Sequence, residues 1–107
     1  MIRVIVEHLT KSKEDSERLM DLVVELRNEA MKQPGYITGE TLINRADPTN
    51  ILVVSTWSSP EAWDAWDKCE ARTVMTQQKM LPLLKKPYWV NKFDFARVQR
   101  GRVISIT

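Results

Sequence analysis

The first predicted element is a strand over residues 2–9, in which apolar residues fall on both faces. One face carries Ile2, Val4 and Val6, and the other carries Ile5 and Leu9. A strand with one face in solvent alternates apolar with polar residues. This pattern therefore indicates a strand that is covered on both sides.

The apolar spacing then changes to that of a helix. Ser12 and Asp15 have the spacing of a capped helix start, and the helix is predicted to run to about Lys32 before Gln33-Pro34-Gly35 ends it. The inward stripe of this helix consists of Leu19, Leu22, Val23, Leu26 and Ala30. Such a stripe is expected to pack on the sheet.

A second helix is predicted after Ser58-Ser59-Pro60-Glu61. Ser58 is the expected cap, because Pro60 suits the first turn and Glu61 follows Ser58 by three residues. One face of this helix is expected to carry Ala62, Ala65, Trp66 and Cys69. Residues 72–84 are predicted to form a further helical segment that ends near Pro82 and Pro87.

Three more strands complete the pattern. Residues 36–45 and 50–57 are predicted to form an antiparallel hairpin, and residues 88–96 alternate as a fourth strand. The order βαββαβ predicts an α+β, ferredoxin-like fold, with helices on one face of an antiparallel sheet. The other face then needs a cover, which a second copy of the chain could supply.

Length supports the same expectation of a partner. A chain of 107 residues predicts one domain over residues 1–107, with a core at about 2–96 and a limited buried surface. The tail, residues 97–107, contains the basic patch Arg97, Arg100 and Arg102 and then a short apolar run. We expect this run to form a strand at a sheet edge of the same or the partner subunit.

Charge and cysteine content limit the partners and the cellular compartment that we expect. A net charge of +2 gives little reason to expect nucleic acid or a membrane as partner. The start of the chain lacks the pattern of a secretory signal, and one cysteine, Cys69, cannot form an internal disulfide. We therefore expect a cytoplasmic protein.

Several kinds of chemistry are disfavoured by the residues present. One histidine and one cysteine cannot build a four-ligand zinc site, and the three glycines do not form a phosphate-binding loop. RNA-binding domains share the βαββαβ order, but here the third strand is a buried-type apolar run without their stacking motif. No cofactor or metal is predicted.

Four polar or aromatic residues are candidates for a site. Trp66 shares its predicted helix face with small residues, which leave space for an aromatic ligand, and Asn91 is a polar group within a strand. His8 and Glu7 are alternative proton acceptors on opposite faces of the first strand. Each residue also has a purely structural interpretation, as packing aromatic, solvated group or satisfied core histidine.

Two segments together resemble a known family. Residues 34–42 (PGYITGETL) and 47–66 (DPTNILVVSTWSSPEAWDAW) supply turn, strand, turn, strand and capped helix in an order that resembles the antibiotic biosynthesis monooxygenase family. The resemblance covers residues 2–96. It implies a dimeric α+β barrel with a pocket between sheet and helices.

The resemblance also bears on cofactors. The haem-degrading branch of the family uses an asparagine, a tryptophan and a histidine that binds the iron. Trp66 matches that tryptophan. Glu7 stands near the position of the asparagine, and Thr76 stands near the position of the histidine. Threonine cannot replace imidazole on iron. The quinone-forming branch needs neither metal nor flavin.

Three hypotheses follow from these observations. The leading one is a homodimer, joined through the sheet face, that acts as a cofactor-independent monooxygenase on a small aromatic or phenolic substrate beside Trp66. The second is a non-enzymatic dimeric ligand-binding or structural domain. The third is haem binding without turnover.

Overall fold

A four-stranded antiparallel sheet carries the helices on one face. The computed structural model describes the backbone of residues 1–106 and the side chains of residues 1–103. The strands are β1 (Ile2–Leu9), β2 (Tyr36–Asn44), β3 (Asp47–Trp57) and β4 (Trp89–Asp94), in the order β2-β3-β1-β4. The helices are α1 (Lys13–Ala30), α2 (Pro60–Asp67) and α3 (Glu70–Val74). The predicted ferredoxin-like α+β fold is confirmed.

The register of β1 separates two different faces. Val4 is opposite Ser55, Val6 is opposite Val53 and His8 is opposite Ile51, and all four even-numbered residues of β1 are buried under the helices. Odd-numbered residues are only half-buried and point away from the helices. The core therefore lies between the sheet and the helices, and the second sheet face is left open.

Serine side chains cap both long helices, but one cap differs from the prediction. Ser12 accepts from the Asp15 backbone N–H at 3.1 Å, as expected. The prediction of Ser58 as cap of α2 is wrong, because Ser59 Oγ accepts from the Ala62 N–H at 3.1 Å. The Ser58 N–H instead donates to the Gly35 carbonyl at 2.7 Å, which ties Ser58 to the turn before β2.

The predicted helix over residues 72–84 is not one regular helix. After α3 the chain forms a π-helical turn (Met75–Met80) and then a 3₁₀ turn (Leu81–Leu83). Pro82 lies in the 3₁₀ turn, where its missing N–H and its ring prevent a regular α-helical continuation. π-Helical turns occur often beside functional sites, and this one borders the cavity described below.

The tail forms a hairpin of its own. β4 ends at Asp94, earlier than predicted, and β5 (Ala96–Gln99) pairs with β6 (Arg102–Ile106) in a separate two-stranded sheet. The expected strand is present as β6. Within the described chain it pairs with β5 and not with an edge of the main sheet. Thr107 lies outside the described residues. Positive φ angles at Arg100 (53°) and Gly101 (76°) suit the tight turn that folds the tail back on itself.

No helix within the described residues combines the length and the apolar character needed to cross a bilayer.

Candidate functional site

A partly open cavity of about 50 Å³ lies between the helix side of the sheet and the helices. Its walls come from β1, β2, β3, α1, α2, α3 and the π-helical turn. Five aromatic side chains line it: Tyr36, Trp57, Trp63, Trp66 and Tyr88. A largely apolar cavity with a few polar groups is the usual form of a small-molecule site.

Trp57 organises the aromatic wall. Its ring stacks on Trp66 with centroids 6.4 Å apart and planes at 22°, and it meets Trp63 (5.8 Å) and Tyr36 (5.4 Å) edge to face. The indole Nε1 of Trp57 donates to Ser55 Oγ at 2.8 Å, which fixes the ring orientation. The result is a packed aromatic wall on one side of the cavity.

The structure brings two of the four predicted site residues to this cavity. His8 and Trp66 both line it and are 3% exposed. Glu7 points to the open sheet face, where it accepts from Asn50 Nδ2 at 2.7 Å. Asn91 is exposed and pairs with Ile5, so it lies on that open face as well. Strand alternation is the reason for this division.

The inward face of α2 also differs from the predicted one. Trp63 and Trp66 are buried, whereas Ala65 is exposed. The two tryptophans are three residues apart and therefore share one side of the helix. Trp63 was not among the candidate site residues, but its ring forms part of the cavity wall.

Arg72 is a cavity residue that the sequence interpretation missed. It is 5% exposed, and its Nε donates to Asp67 Oδ1 at 3.0 Å. Its guanidinium carbon lies 4.8 Å from the Trp63 ring centroid and 5.9 Å from that of Tyr88. One feature of the sequence could have pointed to Arg72: it follows Cys69 by three residues, and Cys69 was predicted to lie on the inward face of the second helix.

Polar atoms without partners mark one end of the cavity. Among the side chains that the structure describes, three buried nitrogens have no hydrogen-bond partner: His8 Nδ1, Trp63 Nε1 and Arg72 Nη2. All three residues line the cavity. Because an unsatisfied buried polar group is costly, these atoms form a set that a bound ligand or water could satisfy.

Burial makes His8 a neutral imidazole. Desolvation lowers its pKa from 6.5 to about 4; backbone groups of Ile51 and Val6 oppose the shift, and the positive charge of Arg72 adds to it. The ring lies 5.8 Å from Tyr88, between centroids. A neutral imidazole has one nitrogen that accepts and one that donates, so His8 can bind either kind of partner at neutral pH.

The residues of the cavity do not fit haem. Thr76 lines the cavity where the resemblance would require an imidazole, and its hydroxyl donates to the Arg72 carbonyl at 2.9 Å. The chain's histidine, His8, lies on β1 and not on the helical segment.

Fold and cavity together define a class: a ferredoxin-like α+β protein with an aromatic-lined site between sheet and helices. The sequence pattern of the antibiotic biosynthesis monooxygenase family matches residues 1–75. The chain belongs to this family. Comparison with curated proteins gives no match.

Solved structures share this architecture at low sequence identity. An antibiotic biosynthesis monooxygenase superposes with a TM-score of 0.80 at 18% identity, over 91% of this chain and all of that one (100%). A conserved protein from Methanosarcina mazei Go1 gives 0.78 at 18% identity, over 86% and 89% of the two chains. A protein from Shewanella oneidensis gives 0.76 at 20% identity, over 86% and 87%. At these identities the likeness concerns the fold.

Proposed function

We propose that this protein binds a small phenolic compound in the cavity and oxidises it with O₂ as a cofactor-independent monooxygenase. The observation that carries the proposal is the aromatic cavity with three unpartnered nitrogens at one end. Such a site holds a planar ring on its apolar wall and a polar substituent at the nitrogens. Family membership supports the same reaction class.

The chemistry requires deprotonation of the substrate. A phenolate is electron-rich enough to react with O₂, and the substrate itself supplies the electrons. One oxygen atom enters the ring to give a quinone, and the other leaves as water with the displaced hydrogens. The protein's contribution is to position the ring, accept the phenol proton and stabilise the resulting charge.

His8 is the proposed proton acceptor. Its side chain lines the cavity, and its imidazole is neutral because burial holds its pKa at about 4. This low pKa makes His8 a weak base in the empty cavity, whereas a phenolate beside it would favour the charged imidazolium. Proton transfer is therefore coupled to stabilisation of the substrate anion.

The cavity has to widen to admit a ring. Its volume is about 50 Å³, whereas a cavity of about 150 Å³ is known to accommodate benzene. Met80, in the π-helical turn, lines the cavity and has a flexible side chain that can change rotamer. We expect ligand entry to displace this turn.

Oxygen uptake with a panel of hydroquinones and naphthols tests the proposal. Once a substrate is found, His8→Ala should lower its turnover by about 100-fold or more, because the proton acceptor is lost. Glu7→Gln is the matched control on the opposite face of β1 and should leave turnover nearly unchanged. Equal small effects of both variants would exclude an acid–base role for β1.

Ligand binding without turnover is the second candidate function. The observation that favours it is the low pKa of His8, which opposes proton transfer from a phenol. A protein of this kind would bind the same panel and quench tryptophan fluorescence while oxygen uptake stays at background. Substrate-dependent uptake that requires folded protein would exclude this candidate.

The proposal includes a homodimer joined through the open sheet face. Leu42 and Phe93 are both 51% exposed on that face, and Leu52 of β3 lies between their strands. An exposed apolar sheet face is the usual basis for association of a small domain. The proposal also places the protein in the cytoplasm, since a chain with a single cysteine, Cys69, fits a reducing compartment.

A further inference from the structure

Arg72 brings a buried positive charge to the polar end of the cavity, in addition to its unpartnered nitrogen. Its side chain is 6% exposed, and Asp67, which pairs with Nε, keeps 44% of its own side chain exposed. Nη2 has no partner among the residues that the structure describes. A buried cation with an unused donor is costly, and an anionic ligand would offset that cost.

Trp63 presents a second unused donor at the same place. Its ring lies against the guanidinium of Arg72, 4.8 Å from centroid to guanidinium carbon, and its Nε1 also lacks a partner in the described chain. Arginine and tryptophan nitrogens donate hydrogen bonds and never accept them. Two donors and a positive charge therefore favour an acceptor that is negatively charged.

The other arginine of the cavity is engaged elsewhere. Arg27 lines the cavity from α1, and its Nη2 donates to the hydroxyl of Thr41 on β2. Arg27 is hydrogen-bonded to β2, whereas Arg72 lies near Tyr88, which directly precedes β4, and β2 and β4 are opposite edges of the sheet. The cavity is therefore asymmetric, with its unsatisfied positive end at Arg72.

We propose that Arg72 and Trp63 form an anion-binding end of the cavity that holds the phenolate oxygen of the substrate. This inference rests on the proposed function and specifies the form in which the ligand is bound. Arg72 stabilises the anion that remains when the proton leaves, and the aromatic wall holds the ring. His8, on the same cavity, contacts the oxygen from the strand side.

The test uses para-nitrophenol, whose phenolate absorbs visible light, and para-nitroanisole, a methyl ether of nearly the same shape that cannot ionise. The wild-type protein should bind the phenolate more tightly than the ether. It should also lower the pKa of the bound phenol by about 1 to 2, as an opposite charge in contact does.

Arg72→Met should weaken phenolate binding by about 10- to 100-fold and change ether binding by about 2-fold or less, because only the charge-assisted contact is lost. Trp63→Phe keeps a smaller aromatic ring and removes the N–H, and it should weaken phenolate binding by roughly 3- to 10-fold relative to ether binding. Arg18→Met is the matched control, because Arg18 is exposed on α1 and its loss should change neither affinity.

The outcomes separate the two proposals. If folded wild-type protein binds neither compound, both the proposed function and this inference fail. If it binds the ether at least as well as the phenolate, or if folded Arg72→Met protein binds the phenolate like the wild type, only the anion-binding end fails. Should Arg72→Met prevent folding, Trp63→Phe decides alone, and unchanged phenolate binding by that variant overturns the proposal.

Discussion

Position within a strand decides the chemistry open to His8 and Glu7. The two residues are adjacent, yet His8 is buried in the cavity and Glu7 is hydrogen-bonded to Asn50 on the open face. Burial keeps the imidazole neutral and places it beside Arg72 and Tyr88. The same side chain on the open face would titrate in the ordinary range.

The depressed pKa of His8 predicts a pH dependence of stability. The unfolded state takes up the proton near pH 6.5, whereas the folded state resists it down to about pH 4. His8 therefore contributes stability that is fully present above pH 6.5 and is lost as the pH falls towards 4. The loss amounts to about 3 kcal/mol.

Urea unfolding between pH 7 and 4 measures this effect. The fall in unfolding free energy should be about 3 kcal/mol greater for the wild type than for His8→Gln, which cannot titrate. Parallel curves for the two proteins would mean that the pKa of His8 is the same in the folded and unfolded states, which would contradict the prediction.

Trp57 and Trp66 line the same cavity, but their contacts predict different consequences of mutation. Trp57 is fully buried, donates to Ser55 and touches Trp63 and Tyr36. Trp57→Phe should lower the unfolding free energy by about 2 kcal/mol.

Trp66→Phe should keep the melting temperature near that of the parent and weaken aromatic-ligand binding. A large stability loss without a binding change would make Trp66 an ordinary core residue.

At the scale of elements, the start of α2 shows how a neighbouring turn moves a cap by one residue. Both Ser58 and Ser59 precede Pro60, and local sequence favoured Ser58 because Glu61 completes the spacing. The backbone hydrogen bond from the Ser58 N–H to the Gly35 carbonyl joins the residue after β3 to the turn before β2, which keeps Ser58 outside the helix. Ser59 therefore supplies the oxygen for the Ala62 N–H.

Alanine substitution distinguishes the two serines. Ser59→Ala should destabilise the protein by about 1 kcal/mol, the usual cost of a lost helix cap. Ser58→Ala is the matched control and should destabilise the protein by only a few tenths of 1 kcal/mol, because the hydrogen bond of Ser58 to Gly35 is made by the backbone N–H, which alanine keeps. Thermal unfolding of both variants would contradict this assignment if Ser58→Ala proved the more destabilising.

At the scale of the whole molecule, the sheet has one covered and one open face. The helices cover the face that carries His8 and Trp57, while Phe93 and Leu42 remain half exposed on the other. A dimer joined through this face would bury on the order of 1,600 Å² in total. It would also cover Glu7 and Asn91, the two predicted residues that the cavity does not use.

Sedimentation at micromolar concentration should give twice the chain mass. Phe93→Glu should shift the protein towards monomer, because in a two-fold interface the new charge is buried twice. Val24→Glu is the matched control, since Val24 is 59% exposed on α1, away from the sheet. A monomeric wild type, or equal behaviour of the two variants, would rule out this interface.

The sequence alone determined β1 to β4, α1 and α2 and their order, because apolar periodicity and turn residues are local properties. It also identified the buried stripe of α1, the cap at Ser12 and the candidate residues His8 and Trp66. Alternation in β1 already required that His8 and Glu7 lie on opposite faces. Alternation does not determine which of the two faces the helices cover.

Only the tertiary structure decided the composition of the site. Arg72 belongs to it because the π-helical turn and α3 pack over the sheet, which brings its guanidinium against Trp63 and near Tyr88. These residues are separated along the chain, so no local pattern links them. The tail hairpin, the cap at Ser59 and the neutral state of His8 likewise depend on long-range contacts and burial, which the order of residues does not specify by itself.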